Sequence, residues 1–201
     1  MSSERPRLSR DAVLRAAQAI IDERGLDACT MRAVAADLNV EAMSLYWHVP
    51  NKEALLDGVV ELMIAEMDVP YSGDGDWADA LRTGARTFRR VVLRHRNALP
   101  LLASRPLPAY AAARRMTEDA IVTLEAAGFD RPTAIQPARI VSRFVMGYTF
   151  AERGPGEAPP PSDSPALDEL LTSVAGSGQE ELFEFGLESL LRGLATWRDS
   201  A

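Results

Sequence analysis

Apolar residues recur at helical spacing from the first dozen positions onward. Val13, Ala16, Ala17, Ile20 and Ile21 follow an i, i+3, i+4 rhythm. Ser9 reads as the N-cap of that helix, Asp11 complements its dipole, and Gly25 ends it. A shorter pattern begins at Thr30, whose hydroxyl can cap a second helix carrying Val34, Ala35 and Leu38. Asn39 stands at the turn after it, where a left-handed backbone is often required and Asn tolerates it. Val40 and Leu45 anchor a third segment. Its outward residues are Glu41, Ala42, Ser44 and Tyr46, with Met43 and His48 at the margin, while Trp47 is expected to pack inward. Asn51 caps a fourth helix in which Leu55, Leu56, Val59, Val60, Met63, Ile64 and Met67 form a broad apolar face. That face is wider than a three-helix headpiece needs, so part of it is expected to pack on a second domain.

Pro70 to Asp76 is rich in turn formers and reads as the domain boundary. Helical pattern resumes from Trp77 to about Asn97, and Pro100, Pro106 and Pro108 break up the next segment. Tyr110 to Ala127 is a further helix stopped by Gly128. Pro132 to Arg153 carries Ile140, Val141, Phe144, Val145, Tyr148 and Thr149 on more than one face, which implies burial on two sides. Gly154 to Pro165 holds too much Pro and Gly for regular structure. A short helix over Leu167–Val174 precedes a last one over Gln179–Trp197. In that last helix Leu182, Phe183, Gly186, Leu187, Leu190, Leu191, Leu194 and Trp197 are expected on one stripe. No strand pattern and no internal repeat stand out. The expected fold is all-α, with nine or ten helices and two domains, 1–67 and 77–199.

Composition changes this picture in two places. The chain has 201 residues and a net charge of −7, with 47% hydrophobic and 25% charged residues, ordinary values for a globular protein. Through Met67 seven positive charges face eleven negative ones, a balance of −4. Phosphate neutralisation drives non-specific nucleic-acid affinity, so a general nucleic-acid binder is excluded. The positives cluster in the N-terminal arm and at helix ends beside the third segment, which leaves room for a localised, site-restricted DNA surface. The single cysteine, Cys29, excludes an intrachain disulfide and reads as a small buried residue. No apolar run spans a bilayer and MSSERPRLSR has no signal core, so a cytoplasmic protein without a membrane partner is expected.

Thr30 to Lys52, TMRAVAADLNVEAMSLYWHVPNK, has two short helical patterns separated by a three-residue break. That is the sequence form of a helix-turn-helix, whose second helix meets base edges in the major groove. With the three-helix headpiece, the connecting helix and the helical body, the chain resembles the TetR family of bacterial transcriptional repressors. The segment LYWHVPNKEALLD carries the resemblance most strongly, and FRRVVLRHRNALPLLASRP and GYTFAE extend it into a tetracycline-repressor type of C-terminal domain.

The resemblance implies a homodimer whose bodies pair through residues 132–153 and 179–197, with Gly147 and Gly186 allowing close helix approach. It also implies a double-stranded operator of palindromic sequence, and a small-molecule inducer whose binding moves the fourth helix. Carried over residue by residue, it places Arg32, Ala42, Met43, Ser44, Tyr46, His48 and Lys52 at DNA, Ala42, Met43 and Ser44 reading bases. Tyr46 reads equally as packing or as a phosphate contact. Arg5, Arg7 and Arg10 read as an arm reaching DNA or as a solvated terminus. Phe88, Val92, Met116, Phe144, Met146 and Tyr148 are the candidate pocket wall, which suits a hydrophobic or aromatic inducer. A tetracycline–magnesium inducer would call for histidines at the end of the fourth helix and in the body. This chain has only His48 and His95, and none between Met63 and Trp77. His95 reads as a surface or packing residue, and no metal and no cofactor are expected. An enzyme is not expected, for two histidines, one cysteine and no Gly-rich phosphate loop offer no catalytic constellation. The alternatives are a helical protein-interaction module, or an activator without inducer release.

Overall fold

The computed structural model describes residues 8–67, 76–152, 163–174 and 178–200. Among them are ten α-helices and no strand. The helices are α1 (Arg10–Arg24), α2 (Met31–Asp37), α3 (Ala42–Leu45), α4 (Lys52–Glu66) and α5 (Trp77–Arg94). They continue with α6 (Leu99–Ser104), α7 (Ala111–Ala126), α8 (Ile135–Ala151), α9 (Pro165–Val174) and α10 (Gln179–Ser200). The Pro70–Asp76 boundary falls almost wholly outside the described residues, as do Arg5, Arg7 and most of the Gly154–Pro165 segment. No helix among the described residues is long and apolar enough to cross a membrane.

The chain divides into two compact units. The first comprises Met1–Pro70 with Arg90–Glu118, the second Tyr71–Arg89 with Asp119–Ala201. The divisions fall inside α5 and α7.

In the first unit the expected caps form. Ser9 Oγ accepts from the Ala12 amide, Thr30 Oγ1 from Ala33 and Asn51 Oδ1 from Ala54. Each satisfies an amide that its helix cannot. Gly25 takes φ +84°, a value that only glycine adopts without strain. The broad face of α4 is buried along its length. Part of it packs on α1 and part on α6, which supplies buried Leu99, Leu101 and Leu102. That is why residues 90–118 join the N-terminal unit: they cover the width of α4 that α1 leaves open. α1 and α4 approach so closely that a Cβ at Gly58 would overlap the Leu14 side chain. Arg10 is the first residue of α1 and its guanidinium pairs with Glu61 at 2.8 Å. It is part of the folded unit rather than of a free arm.

His95 is buried, at 5% exposure, and its surroundings are polar rather than apolar. Its Nδ1 lies 2.8 Å from Asp22 Oδ2 on α1 and its Nε2 lies 3.2 Å from Glu66 Oε2 at the end of α4. Burial pushes the Glu66 carboxyl up, but hydrogen bonds from His95, Gln18 and Arg94, together with the charge of His95, outweigh it. The carboxyl is held below its ordinary value.

The second unit has its own core of Trp77, Leu81, Leu124, Phe129, Val141, Val145, Phe183 and Leu187 among others. Trp77 meets Phe129 edge-on at 5.1 Å between centroids, a favoured aromatic geometry. α5 and α10 run antiparallel here, joined by a ladder of ion pairs. Arg82 donates to Glu188, Arg86 to Glu184 and Arg89 to Glu180, so the arginines ascend the sequence as the glutamates descend it. Arg89 is buried, also donates to Glu152 at 2.8 Å, and lies over the Phe183 ring.

The single stripe expected on α10 divides in two. Phe183, Leu187, Leu191 and Leu194 are buried, whereas Leu182 is 58% and Trp197 37% exposed. Neighbouring residues on a helix differ by about 100° of azimuth, so Leu182 and Phe183 cannot share a narrow face. The burial on two sides expected of α8 is not met among the described residues: one face is buried and the other is exposed. Val141 and Val145 enter the core, while Ile140 and Phe150 point away from it.

Candidate DNA-reading surface and ligand-binding residues

The reading segment is built on a tight junction between α2 and α3. Asn39 adopts φ +53°. Its amide donates to Ala36 O at 3.1 Å and the Val40 amide reaches back to Ala35 O at 2.9 Å. These two bonds form a Schellman closure with Asn in the position usually taken by Gly. Val34 and Ala35 on one side, and Leu45 and Val49 on the other, are buried. α3 itself is four residues long, continued by a turn in which the His48 and Val49 amides both donate to Leu45 O. A helix this short has no stability alone. Leu45 and Val49 hold it in place.

With those two residues inward, the opposite side is left to solvent. Met43 is 73% exposed, Tyr46 46% and Trp47 90%. The expectation that Trp47 packs inward is therefore corrected. The signal was in the spacing, because Leu45 and Val49 at i and i+4 already occupy the core-facing side. Arg32 and Lys52 are exposed, and Ala42, Ser44 and His48 are half-buried. Lys52 is the first residue of α4, directly after the Asn51 cap. Neighbouring Cys29 is fully buried, and burial pushes its thiol up, with Lys52 acting in the opposite sense.

The candidate ligand-binding residues are divided between the units. Val92, fully buried, and Met116, half-buried, belong to the first. Phe88, Phe144, Met146 and Tyr148 belong to the second and are half-buried. Phe144, Tyr148 and Phe183 form an aromatic cluster with centroids 5.4–5.7 Å apart. The Tyr148 hydroxyl donates to the Gln179 carbonyl at 2.7 Å, and burial first, then Glu152, pushes its pKa up. Gly186 faces this cluster within its own chain: a Cβ there would lie 2.8 Å from Phe144 Cζ. Gly147 faces open space. A cavity of about 30 Å³ between Gly128, Phe129, Asp130, Thr133, Trp197 and Arg198 shares none of the candidate residues. It has room for about one water rather than a drug-sized ligand.

Two family descriptions match this chain. Residues 13–59 fit the bacterial regulatory proteins of the tetR family, and residues 69–198 fit the tetracyclin repressor-like C-terminal domain. The chain belongs to the TetR family. It is 34% identical over 203 residues to the class D tetracycline repressor protein of Escherichia coli, covering 93% of this chain and 89% of that one. Among solved structures, the Streptomyces coelicolor TetR-family protein ActR in complex with actinorhodin superposes with a TM-score of 0.74 at 27% identity, covering 96% and 99%. Mycobacterium smegmatis BioQ with its double-stranded DNA operator superposes with a TM-score of 0.69 at 26% identity, covering 94% and 99%. In this TetR-family chain the helix-turn-helix lies inside the first match, while residues 90–118, which pack with the N-terminal unit, lie inside the second. The family is one of transcriptional regulators rather than of enzymes, and the fold is that of its members.

Proposed function

We propose that this chain is a ligand-released repressor that binds a palindromic double-stranded operator as a homodimer. The observation that carries the reading is the exposed Met43–Tyr46–Trp47 surface, held out by the buried pair Leu45 and Val49. Large apolar side chains at such exposure on a helix-turn-helix call for a partner, and thymine methyl groups and sugar edges suit them. Arg32, Ala42, Met43, Ser44, Tyr46, His48 and Lys52 are the proposed DNA contacts, with Trp47 now among them. Lys52, at the start of α4, serves a phosphate. Residues 1–67 are proposed as the DNA-binding domain and 77–199 as the domain that binds ligand and pairs.

Dimer formation is supported by the outer faces of α8 and α10. Phe150 is 71% exposed, Phe185 70% and Leu182 58%, beside the open Gly147. Apolar area of this kind on two long helices suits isologous pairing. The inducer is proposed to be a small hydrophobic or aromatic molecule, contacting residues among Phe88, Val92, Met116, Phe144, Met146 and Tyr148. It acts by favouring the conformation of α4 that does not fit the operator. The cytoplasm is the proposed compartment.

DNA selection with the purified protein, repeated against a panel of small aromatic compounds, tests this. The expected result is enrichment of one palindromic site, released by at least one compound. Enrichment of no sequence would overturn the reading in favour of a protein-interaction module, and a site that no compound releases would overturn inducer control.

A further inference from the structure

Residues 1–70 hold seven positive charges against twelve negative ones, a balance that opposes phosphate. The compact unit in which they fold is larger, and its second part has the opposite balance. Residues 90–118 hold six arginines and one glutamate, so the unit as a whole carries thirteen charges of each sign. Two of those arginines meet acidic residues of α4. Arg94 donates to Glu66 at its end at 2.9 Å, and Arg105 to Glu53 at its start at 2.7 Å. Glu66 lies roughly 21 Å along the axis from Lys52, whereas Glu53 is next to it. Arg105 is therefore the arginine that bears on the DNA-facing end.

The fold, more than its carboxylate partners, places Arg105. It ends α6, which is anchored by buried Leu101 and Leu102, and the following Pro106 favours the extended backbone it adopts, φ −101° and ψ 139°. Its side chain is only 22% exposed. Nη2 reaches Glu53 Oε2, while Nε, buried and without a hydrogen bond, lies 3.4 Å from Asp57 Oδ1. The same Asp57 oxygen accepts from the Tyr110 hydroxyl at 3.2 Å. Burial, then the charge of Asp57, pushes that hydroxyl up to about 12, so Tyr110 stays a neutral donor. Tyr110 brings a hydrogen bond to this cluster, and Arg105 brings the positive charge.

We propose that Arg105 is a positioning residue for DNA binding, whose charge screens Glu53 and Asp57 from the operator phosphate at Lys52. This rests on the reading of Lys52 as a phosphate contact. Asp57 lies five residues beyond Lys52, roughly 7.5 Å along the axis. Both carboxylates thus stand within a Debye length, about 10 Å at 0.1 M salt, of the helix end that meets DNA. They are 70% and 47% exposed, so their charges act in the same solvent as the phosphate. Such pairs add little to stability, but screening needs only that the guanidinium be held nearby. A brace on α4 would need Arg105 and its carboxylates alike. A screen needs the arginine and gains from losing the carboxylates.

The test uses the full chain and measures retardation of two duplexes, the selected operator and a scrambled one of equal length, at low and moderate salt. Arg105→Gln should weaken binding to both by about tenfold at low salt, one positive charge being lost at each of two heads, and by less as salt rises. Arg105→Lys should stay within about twofold, since it keeps the charge and the contact to Glu53 is single rather than two-pronged. Glu53→Gln combined with Asp57→Asn should tighten binding to both duplexes and should restore affinity to Arg105→Gln. Thermal melting shows whether each variant is folded. If Arg105→Gln does not fold, the double carboxylate variant decides alone, because a screen requires tighter binding there and a brace requires weaker. Unchanged or weaker binding by that double variant, or its failure to rescue a folded Arg105→Gln, overturns the screen. A wild type that retards neither duplex at low salt overturns the DNA-binding reading as well, whereas a wild type that binds while the carboxylate variant binds worse sinks the screen alone.

Discussion

Arg82 Nε donates to Glu188 Oε1 at 2.6 Å across 106 positions of sequence, and its Nη2 donates to the second oxygen of the same carboxylate at 3.2 Å. Arg86 makes the same two-pronged contact with Glu184. Arg89, one turn further along α5, is the only rung of the three whose guanidinium is buried together with a buried carboxylate, that of Glu152. Burial decides what each rung is worth. Arg89→Ala removes the buried cation that faces the buried Glu152 carboxylate, and chemical denaturation should show a loss of about 3–5 kcal/mol. Arg86, half exposed, should lose less than about 1 kcal/mol on the same change. Equal losses would refute the argument from burial.

Acid should loosen this ladder. The Glu188 carboxyl is held below its ordinary value by the hydrogen bond and charge of Arg82, and Glu184 likewise by Arg86. A carboxylate with a depressed folded-state value contributes stability above its unfolded value, about 4.3, and loses it as the pH falls through the folded one. Stability measured from pH 6 down to pH 2 should therefore decline, and the decline should be shallower in an Arg82→Met, Arg86→Met double variant. Parallel curves for wild type and variant would argue that other carboxylates govern acid unfolding.

Trp47→Ala should separate binding from stability. A side chain 90% exposed holds little of the fold together, so the melting midpoint should move by no more than about 0.5 kcal/mol equivalent. Operator affinity, once a site has been selected, should fall by about tenfold or more. A large loss of stability with unchanged affinity would return Trp47 to the core.

Lys52→Ala should weaken binding to all DNA sequences alike and reduce the salt slope by about one, because a phosphate contact carries no base information. Ser44→Ala should instead change which base is preferred. Salt titrations of retardation on the selected site and on a scrambled one distinguish the two behaviours.

Gly58 is a packing constraint. An alanine there meets the buried Leu14 side chain, which must shift to admit it, so Gly58→Ala should cost about 1–3 kcal/mol. In a Leu14→Ala background the same change should cost less. Additive losses would show that the two residues do not contend for the same space.

Much of this molecule was legible in one dimension, because local rules governed it. Ser9, Thr30 and Asn51 cap the helices they precede, and Gly25, Asn39 and Gly128 take the positive φ that their positions call for. The family resemblance was legible in the reading segment for the same reason: its spacing is local. What escaped was decided by distance or by absence of a neighbour. Nothing in the run RRVVLRHR announces that His95 meets residues 73 positions before it. The arginines of α5 likewise do not name their glutamates on α10. Trp47 misled because a large aromatic is most often buried, whereas here it is 90% exposed. Leu182 joined the wrong stripe because both faces of α10 are apolar, whereas Trp197, though 37% exposed, still meets Phe129 of the core at 6.3 Å between centroids.

The four residues of α3 have a consequence for how such a reader changes over generations. Its shape is fixed by Leu45 and Val49, which face inward, while Met43, Tyr46 and Trp47 are exposed. On the proposed reading of DNA, substitutions at the most exposed of these positions, Met43 and Trp47, change the contact surface at little cost to the fold. A lineage could exchange its target DNA in single steps, each intermediate as well folded as the last.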